Sequence, residues 1–275
     1  MITFKQLGKL GALGNQMFEY ASLRGIANKC QQEWAIPRQG SRTIYYNLFD
    51  LFEMGSVKEE NLLNDDENFP EIRPKSFAFD PNLFNIKTSC NLNHYLQSYK
   101  YFEHVHDEVI NDFIFKKEHI KPVKFDYIFI HVRRTEHVKL NHLHPVCNID
   151  YFNTALENFP SEIPVKVFSD DLDWCKENFK GDRFIIKDKN PFYEEKIYLS
   201  GIKQHEWYAK PFDDMYEMAN AVGGIISNST LSWWGAYLIK NRKYPIICPE
   251  PWFGPSMKHD TKDLCPPDWI KIKNV

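Results

Sequence analysis

Between residues 126 and 249 the chain repeats one pattern: a short, almost wholly apolar run, a polar turn, then an amphipathic stretch of helical period. The runs DYIFIHV (126–132), PVKVFS (164–169), RFIIK (183–187), GGIIS (223–227) and YPIICP (244–249) predict strands. The stretches IDYFNTALENF (149–159), DLDWCKENF (171–179), DDMYEMANAV (213–222) and TLSWWGAYLIK (230–240) predict helices. Strands that are apolar on both faces belong to a parallel sheet covered by helices on each side. Ligands of such sheets bind beyond the carboxyl ends of the strands, so the residues at those ends are the first candidates for function.

The first half is less regular. ITFKQL (2–7) alternates like a strand, GKLGALGNQ (8–16) places glycine at every third position, and NQMFEYASLRGIANKC (15–30) has helical period. Residues 31–125 show one further helical stretch, EHVHDEVINDFIF (103–115), among aromatics, prolines and asparagines. Two domains are expected, 1–125 and 126–275. The glycine stretch has neither the GxGxxG spacing nor the GxxxxGK[ST] of a phosphate loop, which argues against a P-loop kinase or sulfotransferase. A net charge of −3 provides no global field for nucleic acid, so any anion site must be local. No run approaches the ~20 apolar residues of a membrane span, and the apolar part of MITFKQLGKLG is too short for a secretory signal. A cytoplasmic protein is the expectation. None of the six cysteines forms a CxxC pair, which predicts buried, reduced thiols rather than a zinc site.

Three strand ends carry chemistry. In HVRR (131–134), His131 and Arg133 share one face of the strand and Arg134 points to the other. The guanidinium fork of Arg133 suits phosphate oxygens, while Arg134 is expected to meet a carboxylate; a salt bridge for both arginines is the alternative. In FSDDLDW (168–174), three aspartates resemble a metal-binding DxD, but Asp170 or Asp171 can equally cap the next helix or receive an arginine of the pair. In IISNSTLSWWGAY (225–237), a strand runs into Ser227, Asn228, Ser229 and Thr230 at a helix start, where backbone N–H groups and hydroxyls hold anions or where one residue simply caps. Trp233 and Trp234 read as core rather than as a sugar platform. Asp213 or Asp214 begins the preceding helix, and Glu217, three after Asp214, completes a capping-box pattern. A carboxylate there also matches the two donors of a guanine edge. His137, His142 and His144 lack a fourth ligand, so no metal is expected. Trp34, Tyr45, Tyr46, Tyr95 and Tyr99 either line an acceptor groove or fill the first core.

GALGNQMFEYA (11–21), YLQSYKYF (95–102), HVRR (131–134), CNIDYF (147–152), VFSDDLDWCKENF (167–179), ISNSTLSWWGAYL (226–238) and WFGPSMKHDTKDL (252–264) together resemble the GT11 family, the α-1,2-fucosyltransferases of GT-B-like fold. The resemblance runs nearly end to end and in the expected order. It implies an α/β fold of two Rossmann-type domains with parallel sheets, the donor nucleotide in the C-terminal domain and the acceptor side in the N-terminal one. In this family and its relatives, the core α-1,6 and protein O-fucosyltransferases, the HxRR arginine meets the β-phosphate of GDP-fucose. That role carries to Arg133, with His131 beside the nucleotide and Asn15 and Gln16 facing the donor. Asp214 matches the guanine-binding carboxylate, and Ser229 with Thr230 the phosphate hydroxyls. The family usually reads HxRRGDY, and this chain reads HVRRTEH. Thr135 replaces a glycine, Glu136 lengthens a carboxylate and His137 replaces a tyrosine.

The resemblance further implies inverting transfer of L-fucose from GDP-β-L-fucose to a sugar hydroxyl of a glycan acceptor, with O2 of a terminal galactose as the expected position and no metal cofactor. Arg133 stabilises the leaving group, and Glu136, or His137 in second place, is the candidate base. Other linkages, another GDP-deoxysugar donor, or a non-catalytic nucleotide-sugar or glycan binder are the alternatives.

Overall fold

The computed structural model describes residues 1–38, 48–64, 68–187 and 211–274. The chain divides into two compact units. The first comprises Met1–His119 and His259–Pro266, the second Ile120–Lys258 and Pro267–Val275. The change of unit thus falls between 119 and 120, six residues before the boundary read from the sequence, and residues 259–266 return to the first unit.

The first unit is built on a five-stranded parallel sheet. Its elements are β1 (Ile2–Thr3), α1 (Leu13–Cys30), β2 (Trp34–Pro37), α2 (Leu48–Leu51), β3 (Leu62–Leu63), β4 (Glu71–Ile72), β5 (Cys90–Leu92) and α3 (His106–Asp112). The strand order is β3-β2-β1-β5-β4, with Ile2 opposite both Trp34 and Cys90. The strand expected over 2–7 ends at Thr3 because the chain then turns: Leu7 N–H donates to the Phe4 carbonyl and Lys9 N–H to that of Gln6. Gly11 makes the entry to α1 possible. Its φ is +86°, and a Cβ there would lie 2.2 Å from Asn15 Nδ2. The helix starts at Leu13, two residues earlier than expected, and is buried along most of its length. Gly25 lets it press on the turn at Tyr99–Tyr101, since a Cβ would meet the Tyr101 carbonyl oxygen at 1.9 Å. The helix expected over 103–115 is a 3-10 turn, Glu103–Val105, running into α3. It ends at Asp112, whose buried carboxylate accepts from Tyr20 Oη at 2.8 Å and Ser56 N–H at 2.7 Å and pairs with Arg24.

The second unit contains β6 (Ile128–Val132), α4 (Thr135–Lys139), α5 (Ile149–Leu156), β7 (Val165–Ser169), α6 (Leu172–Asn178), β8 (Phe184–Ile186), α7 (Phe212–Ala219), β9 (Gly224–Ile225), α8 (Thr230–Tyr237), β10 (Ile246–Glu250) and β11 (Ile270–Lys273). Its six strands are parallel in the order β11-β10-β9-β6-β7-β8. Every residue of β6 is buried, as expected for a central strand covered on both faces. Ile128, Ile130 and Val132 project into a core shared with Tyr151, Phe152 and Ala155 of α5 and Cys175 of α6. Each such fully buried large side chain contributes about 1.5–3 kcal/mol. Phe129 on the opposite face stands edge-on to Phe168. Trp233 and Trp234 are wholly buried, as the core reading had them. From β6 the chain runs outward through β7 to β8, then returns to lay β9 on the other side of β6. The strand order therefore reverses between β6 and β9, and a parallel α/β sheet opens its ligand crevice at such a point.

Candidate active site at the ends of the second sheet

The residues that follow β6, β7 and β9 meet beyond that reversal. His131, the penultimate residue of β6, is 6% exposed and its Nδ1 lies 2.9 Å from Ser227 Oγ, which joins the two strands at the switch point. Burial drives the His131 imidazole down to about pKa 4, against the pull of Asp170, so it is neutral at physiological pH.

Arg133 and Arg134 part company as the strand geometry requires. Arg133 Nη1 donates to Asp170 Oδ2 at 2.6 Å, and its Nη2 pairs with Glu136. Arg134 turns the other way: Nε donates to Asp171 Oδ2 at 3.1 Å, and the guanidinium lies 4.3 Å over the Trp174 ring. Both aspartates therefore receive an arginine of the pair. Asp171 also caps α6, accepting from Trp174 N–H at 3.2 Å. Asp170 caps nothing. It accepts instead from Arg134 N–H at 2.8 Å and Thr135 Oγ1 at 2.6 Å, which locks the corner after β6. Two guanidiniums thus face three carboxylates, so the strand end is not a bare cationic pocket. Of Arg133's two partners, Glu136 is the more exposed.

α4 carries the altered segment. Thr135 is its first residue and has a conventional negative-φ backbone, since the non-glycine residues of positive φ are Gln31, Met54, Leu96 and Lys258. His137 is 9% exposed, stacks on His144 with centroids 4.9 Å apart, and is lowered to about pKa 4 by burial and by Arg133. Its Nδ1 has no hydrogen-bond partner among the described residues. No group of three or more His, Cys, Asp or Glu among those residues is placed to hold a metal ion.

At the third strand end, Ser229 is the N-cap of α8 in extended conformation and its side chain makes no capping bond. Ser229 N–H donates to the Ser227 carbonyl at 2.8 Å. The helix start is therefore left to its backbone N–H groups and the half-buried hydroxyls of Ser229 and Thr230. Asn228 is buried, with Nδ2 donating to the Trp252 carbonyl at 3.2 Å.

The capping box expected at Asp214 does not form. Pro211 is the N-cap of α7, which places Asp214 in the first turn rather than ahead of it. Asp214 is buried and paired with Lys187 Nζ at 2.9 Å. Burial raises its pKa and Lys187 offsets part of that rise. Burial would also raise Glu217, but Lys187 at 2.7 Å and Lys166 at 3.1 Å hold it below its ordinary value. Lys187 is the site residue that sequence reasoning passed over. It stands directly after β8, so the strand-end rule applied to RFIIK (183–187) would have found it.

In the first unit, Asn15 Oδ1 accepts from Gln97 Nε2 at 3.0 Å and Gln16 Nε2 donates to the Gly11 carbonyl at 3.3 Å. Both bonds tie the glycine loop to its own unit. Trp34 lies edge-on to Tyr20 and under Arg24, and Tyr95 stacks on Phe77, which places both among side chains of the first unit. Tyr45 and Tyr46 lie outside the described residues.

Two units built on parallel sheets, one with charged side chains at its strand-order reversal, define an α/β protein. A family model described as glycosyl transferase family 11 matches residues 5–273. The chain belongs to that family and is a glycosyltransferase. It is 27% identical to an α-1,2-colitosyltransferase of Escherichia coli over 96% of this chain and 97% of that one. A galactoside 2-α-L-fucosyltransferase of Caenorhabditis elegans is 24% identical over 96% of this chain and 75% of its own length. In structure the chain is similar to the fucosyltransferase NodZ from Bradyrhizobium, with a TM-score of 0.50 and 15% identity, over 85% of this chain and 90% of that one. No helix among the described residues is long and apolar enough to cross a membrane.

Proposed function

We propose that this glycosyltransferase moves L-fucose from GDP-β-L-fucose to O2 of a terminal galactose, with inversion, to give an α-1,2 linkage. In this reading the arrangement is GT-B-like, the second unit holds the donor nucleotide and the first recognises the glycan acceptor. The observation that carries the reading is Arg133, fixed by Asp170 at the end of β6, where the strand order reverses. The galactoside specificity is supported by the nematode relative's name.

The chemistry follows from the charges. The acceptor oxygen attacks C1 of the fucosyl group from the side opposite GDP. The C1–O bond to the β-phosphate breaks, and its electron pair leaves with the diphosphate. Arg133 and the N–H groups that open α8 neutralise that charge without a metal ion. A prearranged donor of this kind typically accounts for a hundredfold or more in rate, about 3 kcal/mol. Glu136 takes the hydroxyl proton once phosphate has displaced it from Arg133. His137, neutral at physiological pH, is the second-placed base. Asp214 accepts hydrogen bonds from the N1–H and N2–H groups of guanine.

The test is transfer from GDP-fucose to a panel of β-galactosides, with the product linkage determined by NMR. Formation of Fucα1–2Gal is expected. GDP binding without transfer or donor hydrolysis would refute catalysis and leave a nucleotide-sugar binding protein. A second donor has specific support: the colitosyltransferase relative matches the chain over nearly its full length. Nucleotide-linked colitose therefore belongs in the same assay, and faster turnover with it would reassign the sugar while keeping the site.

A further inference from the structure

The ion pairs beyond β8 leave two valences open. Lys187 Nζ lies 2.9 Å from Asp214 Oδ1 and 2.7 Å from Glu217 Oε1, and Lys166 Nζ lies 3.1 Å from Glu217 Oε2. Two cations thus balance two carboxylates. An ammonium has three N–H donors, and Asp214 and Glu217 are the only acceptors that Lys187 meets among the described residues. Asp214 Oδ2 accepts from no described residue and is not sealed in the interior. The pair lies on the sheet face that carries His131. His131 of β6 is in register with Phe168 of β7. Lys187 follows β8 opposite Phe168, with its N–H bonded to the Val167 carbonyl at 2.9 Å and its Nζ 5.3 Å from the Phe168 ring centroid. Neighbouring strands lie about 4.8 Å apart, so Lys187 stands roughly 10 Å across the sheet from His131. Arg133 is two residues further along the chain on the same face, an interval that a ribose and two phosphates bridge.

A ligand edge that meets this pair must offer a donor to the carboxylate and, beside it, an acceptor to the ammonium. Guanine does so: N1–H and N2–H face a carboxylate, and O6, next to N1, faces a donor. Adenine presents the reverse, with a lone pair at N1 and N–H groups at N6. A phosphate suits Lys187 but is repelled by Asp214 and Glu217. We infer that Lys187 Nζ donates to O6 of the guanine base, beside the two bonds that Asp214 accepts, and that Lys187 is thereby a specificity-determining residue for the donor. The edge of the base is neutral, so it docks without upsetting the charge balance of the two pairs. A site built to hydrogen-bond a substrate atom discriminates strongly against an analogue without it. The inference rests on the GDP-sugar reading above and adds the group that reads the base oxygen.

The experiment measures dissociation constants by calorimetry for GDP, 6-thio-GDP and IDP, on the full chain and on Lys187→Met. 6-Thio-GDP keeps N1–H and N2–H and replaces O6 with sulfur, a poor acceptor. IDP keeps O6 and lacks the 2-amino group. Wild type should bind each analogue roughly tenfold more weakly than GDP, the scale of one charge-assisted hydrogen bond lost or weakened. In Lys187→Met the penalty for sulfur should vanish while the penalty for IDP persists. Combining Lys187→Met with Asp214→Asn leaves Glu217 paired with Lys166 and strands no charge, so it serves if the single variant does not fold; it too should bind GDP and 6-thio-GDP alike. Equal affinity of wild type for GDP and 6-thio-GDP would overturn the inference. A sulfur penalty that survives the loss of Lys187 would overturn it too, since Lys187 then only holds Asp214 in place. A wild-type chain that binds neither GDP nor its analogues would instead sink the underlying donor reading, an outcome distinct from either.

Discussion

Glu19 stands out among the described residues and supports a sharp prediction. It is wholly buried on α1, and neither carboxyl oxygen has a hydrogen-bond partner among the described residues. Its place is defined by its neighbours on the same helical stripe. Asn15, one turn before, is bonded to Gln97, and Ser22 Oγ, one turn after, donates to the Leu96 carbonyl at 3.0 Å. Glu19 therefore faces the 95–97 segment, where Gln97 Oε1 is also without a partner among the described residues. Desolvation raises the Glu19 pKa well above 4.5. The sign of the pH effect follows. Below about pH 4.5 the group is protonated folded and unfolded, and it costs no ionisation energy. Above that pH the unfolded chain ionises first, so stability declines until the pH passes the folded-state pKa. Removing the orphaned carboxyl should stabilise the protein by about 1–3 kcal/mol. A 2 kcal/mol gain corresponds to a rise of about 4–8 °C in melting temperature. Glu19→Met should deliver this gain at pH 7, with less of it at pH 4.5. Glu19→Gln should remove only the pH-dependent part. Urea denaturation of the three proteins between pH 4.5 and 8 measures all of it. A Met variant less stable than wild type at every pH, with a flat difference curve, would mean the carboxylate is ionised and held by a bound group, and the reasoning fails.

Replacing Arg133 with Lys or Ala should lower kcat/KM by at least a hundredfold while the fold survives, because Asp170 keeps its bonds to Arg134 N–H and Thr135; near wild-type turnover would remove Arg133 from the mechanism. Glu136→Gln relieves Arg133 of a competing carboxylate, so GDP should bind a few-fold more tightly while kcat falls; activity retained in both Glu136→Gln and His137→Asn would favour a reaction without a dedicated base. Asp214→Asn should cost about 1.5–3 kcal/mol of GDP affinity and erode the preference for GDP over ADP, measured by competition. EDTA should leave turnover unchanged, and a strict Mn²⁺ requirement would reinstate Asp170, Asp171 and Asp173 as metal ligands.

The two halves of the chain differ in how openly their physics is written. In the second unit, strands such as IFIHV are buried on both faces and read as unbroken apolar runs, so β6, β7 and their helices are visible in the sequence. In the first unit the strands are short: β1, β3 and β4 span two residues each, too few for any period to register. β11, IKIK, also escaped: it alternates Ile and Lys over only four mostly exposed residues at the end of the sheet, too short a run to stand out. Within the site, the opposite directions of Arg133 and Arg134 follow from strand alternation and could be read in advance. The pairing of Arg133 with Glu136 could not, since it depends on the short helix α4 bringing residues three apart together. The misplaced capping box at Asp214 has a similar origin: α7 opens after Pro211, so a matching spacing fell one turn inside the helix.

The return of residues 259–266 to the first unit bears on any attempt to split the enzyme. Asp263 within that segment accepts from Lys100 at 2.5 Å and from Phe79 N–H at 3.2 Å, and its carbonyl accepts from Ser98 Oγ at 2.8 Å. A gene cut after residue 119 would strip the amino-terminal fragment of these anchors and leave them as a stray loop on the other piece. Neither half is a cassette that can be excised or grafted with a single joint; swapping either between homologues calls for two inserts exchanged together.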